Sequence, residues 1–197
     1  MKKGIVCFFL LIIPIEVACA GLEKGDVEID MSFSWSQTQG VGGTTHWADQ
    51  DRWKVSTAMG YFISRNLLIQ TLFSGDWMDS KGVGTSASEV QYNLYSLGTK
   101  GKWHFLPDKE WTPYIGIQVL WGVLDYRVSY TASGLEAGPF DRNEQGWLLG
   151  PVGGVRYEFN ETNDFYIEYQ YLTYEQGLGD LLDDSQHVSI GLIHLYQ

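Results

Sequence analysis

The chain has 197 residues, a formal charge of −11 at pH 7, 15% aromatic residues, 23 glycines and two cysteines. So acidic a surface repels nucleic acid, which excludes binding by phosphate neutralisation. The chain is also slightly hydrophilic on average, so any contact with a membrane has to come from alternating residues rather than from long apolar runs.

Lys2 and Lys3 precede an apolar run from Ile5 to Ile15, and Ala18-Cys19-Ala20 forms a small-x-small cleavage site; this is the pattern of a secretory signal peptide over residues 1–20. The run is about eleven residues long, well short of the ~20 needed for a membrane-spanning helix. A competing reading makes Cys19 the acylated residue of a lipoprotein signal, but Glu16 stands where such signals carry an apolar residue. Cleavage after Ala20 removes Cys7 and Cys19, and with them disulfide, thiolate-metal and thiol-nucleophile chemistry. Residues 21–197 contain no linker or solenoid repeat to divide them and are expected to form one domain.

The mature part alternates. Val27, Ile29, Met31, Phe33 and Trp35 share one face of a first strand, opposed by Glu28, Asp30, Ser32 and Ser34. Trp53, Val55, Thr57, Met59 and Tyr61 repeat the pattern in a second. A third, about Leu67 to Phe73, is less regular because Leu68 and Leu72 place apolar groups on its other face. The fourth, about Tyr92 to Phe105, changes phase between Leu94 and Leu97, which predicts a bulge near Tyr95. Ile115 to Val123 form the fifth. Trp147 to Phe159 form the sixth, where Pro151 cannot donate a ladder hydrogen bond and a local irregularity is expected. Phe165 to Tyr171 and Val188 to Tyr196 complete the set.

The connections alternate too: 64–66, 106–111 and 160–164 are short, whereas about 37–51, 76–89, 127–145 and 175–186 are long. This predicts an all-β, eight-stranded antiparallel transmembrane up-and-down barrel with tight turns on the periplasmic side and longer loops outside. Trp35, Trp53, Trp77, Trp121 and Trp147 fall towards the loop ends. Tyr61, Trp103, Phe105, Tyr157, Phe159, Phe165 and Tyr196 fall towards the turn ends, as two interfacial girdles would. A soluble lipocalin-like barrel shares the alternation but turns its apolar face inward to line a cavity; the serine, glycine and charge on the second face, and the unequal loops, count against it.

Thr112-Pro113-Tyr114-Ile115-Gly116 opening a strand, then Gly153 to Phe159, a short turn and Ile167-Glu168-Tyr169-Gln170-Tyr171 resemble the small outer-membrane barrel superfamily of outer membrane protein X and the opacity proteins. The resemblance covers most of the mature chain and implies a place in the cell outer membrane. Outer-membrane lipids and lipopolysaccharide would surround the barrel, the barrel-assembly machinery would insert it, and an extracellular ligand could meet its loops. It implies no single activity, since related barrels include adhesins, lipid-modifying enzymes and structural proteins. The chain departs from that pattern in ending on Gln197 after Tyr196, where such barrels commonly finish on an aromatic residue.

Lipid A deacylases of this shape carry a His and a Ser two apart on a late strand, with an acid to orient the His. Here Tyr171 to Tyr174 contain no His, although His187, Ser189 and Glu168 can be drawn as such a set. His46, His104 and His194 are isolated, and Asp180, Asp183 and Asp184 lack the spacing of a calcium loop; no metal or cofactor is expected. The lumen is more informative. Glu28, Asp30, Lys100, Lys102, Arg156, Glu158 and Glu168 fall on the non-lipid face near the turns, where they are expected to pair and plug the barrel. Counting outward from the Asn160 to Asp164 turn brings Arg156 opposite or diagonal to Glu168, an expected ion pair. The sequence therefore points to a non-enzymatic barrel that anchors long loops for envelope integrity or surface contact, with a lipid A-modifying enzyme or a narrow channel as the alternatives. Intact-mass analysis of the exported protein is expected to place its N-terminus at Gly21; a diacylglycerol-modified Cys19 would overturn this.

Overall fold

The computed structural model describes residues 22–38, 47–82, 86–132, 135–179, 182 and 184–196. The expected signal peptide, His46, Asp180, Asp183 and Gln197 lie outside them. Eight strands follow in order: β1 (Val27–Thr38), β2 (Trp47–Phe62), β3 (Leu67–Gly82), β4 (Ser86–His104), β5 (Trp111–Ala132), β6 (Leu135–Asn160), β7 (Asn163–Tyr174) and β8 (Ser185–Tyr196). Each pairs antiparallel with the next, and β8 returns to β1 to close the barrel. A single 3-10 turn, Gln176–Leu178, interrupts the β7–β8 connection.

The period of two decides which way each side chain points. Met31, Val55, Met59, Ile117, Val188 and Leu192 are exposed on the outer face, while Glu28, Asp30, Lys100, Lys102 and Glu168 are buried inside. An apolar exterior around a charged interior is the reverse of a soluble ligand-binding barrel, so the lipocalin-like alternative falls. The short connections are built from local hydrogen bonds. At the β6–β7 turn, Asn160 Oδ1 accepts from the backbone N–H of Thr162 at 3.0 Å and of Asn163 at 2.8 Å, an Asx arrangement that reverses the chain in two residues.

Two expectations from the sequence need correction, and the irregularity at Pro151 is confined to the ladder. The segments 76–89 and 127–145 are largely strand rather than loop, because β3 runs on to Gly82 and β5 and β6 pair as far as Ala132 and Leu135. No bulge occurs at Tyr95: β4 keeps one register with both neighbours throughout. Tyr92 and Leu94 point inward with Ser96, so the apparent change of phase marks apolar residues on the lumen side of an unbroken strand. Pro151 leaves a gap in the β6–β7 ladder between Leu149 opposite Thr173 and Val152 opposite Gln170, but the register on either side is the same. The backbone of β7 leaves no room for a side chain at this point. A Cβ on Gly150 would stand 1.7 Å from the carbonyl oxygen of Tyr171.

The barrel interior has three layers. Near the turns, Leu22, Phe62, Leu68, Tyr166, Ile193 and Leu195 form an apolar floor. Leu22, which precedes β1, is tied there by its N–H to the carbonyl of Pro107 at 3.3 Å. Charged and amide side chains fill the middle. Towards the loops Leu72, Leu94, Leu120, Leu124, Leu148, Leu172 and Leu178 form an apolar roof, with Leu178 brought in by the 3-10 turn.

Because every strand has a partner on both sides through the membrane-facing zone, the fold should resist detergent until heated. Unboiled protein is expected to migrate differently from boiled protein in an SDS gel. Gly150→Val, which forces a side chain between β6 and β7, should lower the urea midpoint by the equivalent of about 1–3 kcal/mol; an unchanged midpoint would mean that the two strands separate more freely than their close approach implies.

Candidate functional site

The middle layer is the most highly organised group of side chains in the molecule. Lys102, on β4, lies at its centre, with Asp30 at 3.5 Å, Glu28 at 3.7 Å and Glu168 at 3.8 Å around its ammonium. The rings of Tyr114 and Tyr166 have their centroids 5.0 and 5.2 Å from the same nitrogen. Lys100, two residues earlier on the same face, donates to Glu168 at 2.7 Å. Arg156 on β6 donates to Glu28 at 2.8 Å and to Asp164. The network therefore joins β1, β4, β6 and β7 across the lumen.

Neutral groups take up acceptors that the cations leave over. Gln70 donates to Glu28 at 2.9 Å and to Asp30 at 2.8 Å, and the hydroxyl of Tyr114 donates to Glu168 at 3.0 Å. Gln170 donates to Glu168 at 2.6 Å and accepts from Lys54 at 2.8 Å, which carries the network towards the loops. A second pair closes the layer above, where Arg52 donates to both oxygens of Asp76 and to the Tyr174 hydroxyl at 3.2 Å.

Of the seven residues singled out in the sequence, Glu28, Asp30, Lys100, Lys102, Arg156 and Glu168 meet in this network. Glu158 lies half-buried at the turn end, in register with Asp164. The expected pairing of Arg156 with Glu168 does not form. Tyr166 stands directly opposite Arg156, and the guanidinium turns to the diagonal on the turn side, where Asp164 lies, rather than to Glu168 on the other diagonal. Glu168 belongs instead to Lys100. Asp164 was missed because it was counted into the turn; Gln70, Tyr114 and Gln170 were missed because neutral side chains carry no charge signal, although each sits in phase with the charged positions.

The triad-like set also comes apart. Glu168 is engaged by lysines, and His187 Nε2 lies 3.0 Å from the hydroxyl of Ser185, not of Ser189, with Ser185 in turn 2.7 Å from the Tyr174 hydroxyl. His104 is packed between the rings of Phe62 and Tyr114, and His194 bonds Asn163 at the turn end. Among the described residues, no three His, Cys, Asp or Glu side chains are grouped as metal ligands would be.

On the outer face, Trp35, Trp53 and Trp77 stand opposite one another in successive strands, and Trp121 faces Trp147 with ring centroids 4.9 Å apart. At the turn end Tyr61, Trp103, Phe105, Trp111, Phe159 and Tyr196 are exposed. Trp53 and Tyr61 are eight residues apart on β2, which at ~3.3 Å per residue and a ~40° tilt is on the order of 20 Å, close to the apolar band of outer-membrane barrels.

A closed eight-stranded barrel with an apolar belt between aromatic girdles and charges packed inside is a small outer-membrane barrel. The chain belongs to the outer membrane protein beta-barrel domain family, whose profile matches residues 5–192. Comparison with curated protein sequences finds no match. Among solved structures, the chain is similar in fold to the outer membrane protein OprG from Pseudomonas aeruginosa, with 13% identity and a TM-score of 0.52 over 90% of this chain and 98% of that one. It is similar also to Ail, the attachment invasion locus protein of Yersinia pestis, with 11% identity and a TM-score of 0.51 over 88% and 99%. A further structure of Ail, in complex with the heparin analogue sucrose octasulfate, aligns at 10% identity with a TM-score of 0.50 over 88% and 99%.

The geometry separates contacts that matter from pairs that merely share a layer. Lys100→Met removes the nearest cation from Glu168 in a dry interior and should cost up to about 3–5 kcal/mol, less whatever Lys102 at 3.8 Å compensates. In double-mutant cycles with Glu168→Gln, Lys100→Met should show a coupling above ~1 kcal/mol, whereas Arg156→Met, linked to Glu168 only through Glu28 and Lys102, should show a smaller one. Urea midpoints in detergent micelles measure both; equal coupling would mean that the lumen partners are exchanged.

Proposed function

We propose that this protein is a plugged, non-enzymatic barrel that anchors an extracellular β-structure in the outer membrane. The observation that carries this reading is the lumen itself. Buried charged and amide side chains, with apolar clusters above and below them, fill the lumen where a channel would need open space. Short turns in such barrels face the periplasm and long connections face outward, which puts the β5–β6 hairpin on the cell surface. Above Trp147, β6 continues for twelve residues to Leu135 on the arm of that hairpin, while β7 ends opposite Leu148. The hairpin therefore stands above the rim on one side, in a position to meet partners in the extracellular space or the lipopolysaccharide layer.

Among the described residues, the exposed charges at the loop end of β3 to β6 are mainly acidic. Asp79, Glu89, Asp125 and Asp141 are exposed, and Arg127 is bound to Asp141 at 2.8 Å. A sulfated polyanion such as the heparin analogue seen with Ail is thus poorly suited to this surface, and a cationic or neutral partner suits it better. A lipid-modifying enzyme needs an activated nucleophile within reach of lipid, and Ser185 and His187 face the lumen and are buried. In a planar bilayer the purified protein is expected to give no steady open level. Lipid A from cells with and without the gene is expected to have the same mass spectrum. A stable conductance would favour the narrow channel, and a changed acyl or phosphate pattern would favour the enzyme.

A further inference from the structure

The tall hairpin has a strand edge that no described strand completes. β7 ends at Tyr174, opposite Leu148, and the chain turns away through Gln176–Leu178, whereas β6 continues to Leu135 with β5 alone beside it. In an antiparallel ladder the N–H and carbonyl of one residue point to the same side, and the side alternates along the strand. Two contacts fix that alternation here. The N–H of Glu175 donates to the carbonyl of Trp147 at 2.9 Å, and a Cβ added to Gly177 would stand 3.3 Å from the carbonyl oxygen of Gln145. Trp147 and Gln145 therefore turn their backbone groups to the β7 side. β5 and β6 keep one register from Trp111 opposite Tyr157 to Val128 opposite Phe140, so Asn143 and Asp141 turn theirs the same way. Among the described residues no hydrogen bond reaches the backbone of Asn143 or Asp141 on that side.

This edge lies beyond the apolar band, since Trp147 belongs to the loop-end girdle and Gln145, Asn143 and Asp141 follow above it with exposed side chains. Exposed edges are commonly blunted by lysine, proline or a bulge. From Asp141 to Gln145 there is none of these. The register shift comes only above Val128 opposite Phe140, next to Pro139, and marks the upper end of the regular edge; the 3-10 turn marks its foot. The charge around the edge has one sign in excess. Arg127 is bound to Asp141 and Arg142 to Glu144, so both arginines of this stretch are engaged. Asp125, directly opposite Asn143 on β5, and Glu175, beside Trp147, are exposed carboxylates with no cation paired to them among the described residues.

We infer that the free edge of β6 from Asp141 to Gln145 is a strand-addition site for a basic, extended segment of another protein. The segment runs antiparallel to β6 in the place that β7 would take if it continued. It exchanges backbone hydrogen bonds with Asn143 and Asp141, while its cationic side chains answer Asp125 and Glu175. The backbone supplies affinity, and the carboxylates select the sign of the partner. The inference rests on the proposed surface-anchor function and names the kind of partner that the anchor meets.

Fluorescence anisotropy with the folded, exported protein in a neutral detergent tests this. The probe is a short labelled peptide of alternating lysine and threonine. One control is the matching glutamate–threonine peptide; the other is the lysine–threonine peptide with alternate amides N-methylated, which keeps the charge but removes the donors along one edge. The probe should bind about tenfold more tightly than either control and should slow hydrogen exchange at the amides of Asn143 and Asp141. Asn143→Pro removes one edge donor and leaves the β5–β6 ladder whole, so it should weaken binding about tenfold. Asp125→Asn with Glu175→Gln should bring the lysine and glutamate peptides to equal affinity. If Asn143→Pro does not fold, as read from migration of the unboiled protein, the N-methylated peptide removes the same kind of bond from the partner's side. Binding of the N-methylated peptide as tight as that of the probe would mean that charge alone holds it and would overturn the assignment. Preference for the glutamate peptide, binding of neither peptide, unchanged affinity in folded Asn143→Pro, or self-association of the protein that excludes the probe would also overturn it. These readouts are separate from bilayer conductance and the lipid A spectrum, which test the anchor itself.

Discussion

An ammonium group cut off from water needs polar or charged partners, and Lys102 is placed so that three carboxylates surround it. Two come from β1 and one from β7, while the lysine itself comes from β4. Strands that lie far apart around the circumference are thereby tied through the centre. The backbone ladder holds each strand only to its neighbours; the lumen charges are what relate one side of the barrel to the other. Moving ions from water into such a space costs several kcal/mol each, so the arrangement favours the one register in which all of them find partners. A shift of one residue in any of these strands would turn its charges out towards lipid and its apolar side chains inward.

The apolar floor and roof follow from the same requirement. Water entering from either end would screen the pairs and weaken them, and Phe62 with Leu68 at one end and Leu120 with Leu172 at the other keep it out. The polar chain from Glu168 through Gln170 to Lys54 continues the network towards the loops. The β1–β8 ladder ends at Phe33 opposite Ile190, and beyond that level the described inward side chains of these two strands are serines and His187.

Strand number, strand order and the outward face were legible because alternation at Val27 to Trp35 or Trp53 to Tyr61 has one physical meaning in a chain too hydrophilic for spanning helices. The approximate place of the ion network was legible for the same reason, since a charge in phase with serines and glycines cannot point into lipid. Other features were misread where two forces act on one position. Leu68, Leu72 and Leu94 looked like lapses of pattern, but they are the apolar ends of the lumen, and the pattern of a plugged interior is not uniformly polar. Arg156 was assigned to Glu168 from turn counting, which identifies opposite neighbours but cannot choose between two diagonals; the choice of Asp164 depends on Lys100 having already taken Glu168. The length of β5 and β6 was underestimated because above the girdle the pattern inverts: Leu124 and Val128 point inward and are buried while Asp125 and Arg127 are exposed outside, so the apolar-outward signal ends although the strand does not.

The tall β5–β6 hairpin has a mechanical side. Its two arms run along the direction in which a surface contact at its tip would pull, and the hydrogen bonds that hold β5 to β4 and β6 to β7 lie across that direction. A tug on the tip therefore loads these ladders in shear, where many bonds must yield together, rather than peeling them one after another. Such a hairpin can carry force from its tip into the membrane-embedded wall without unzipping.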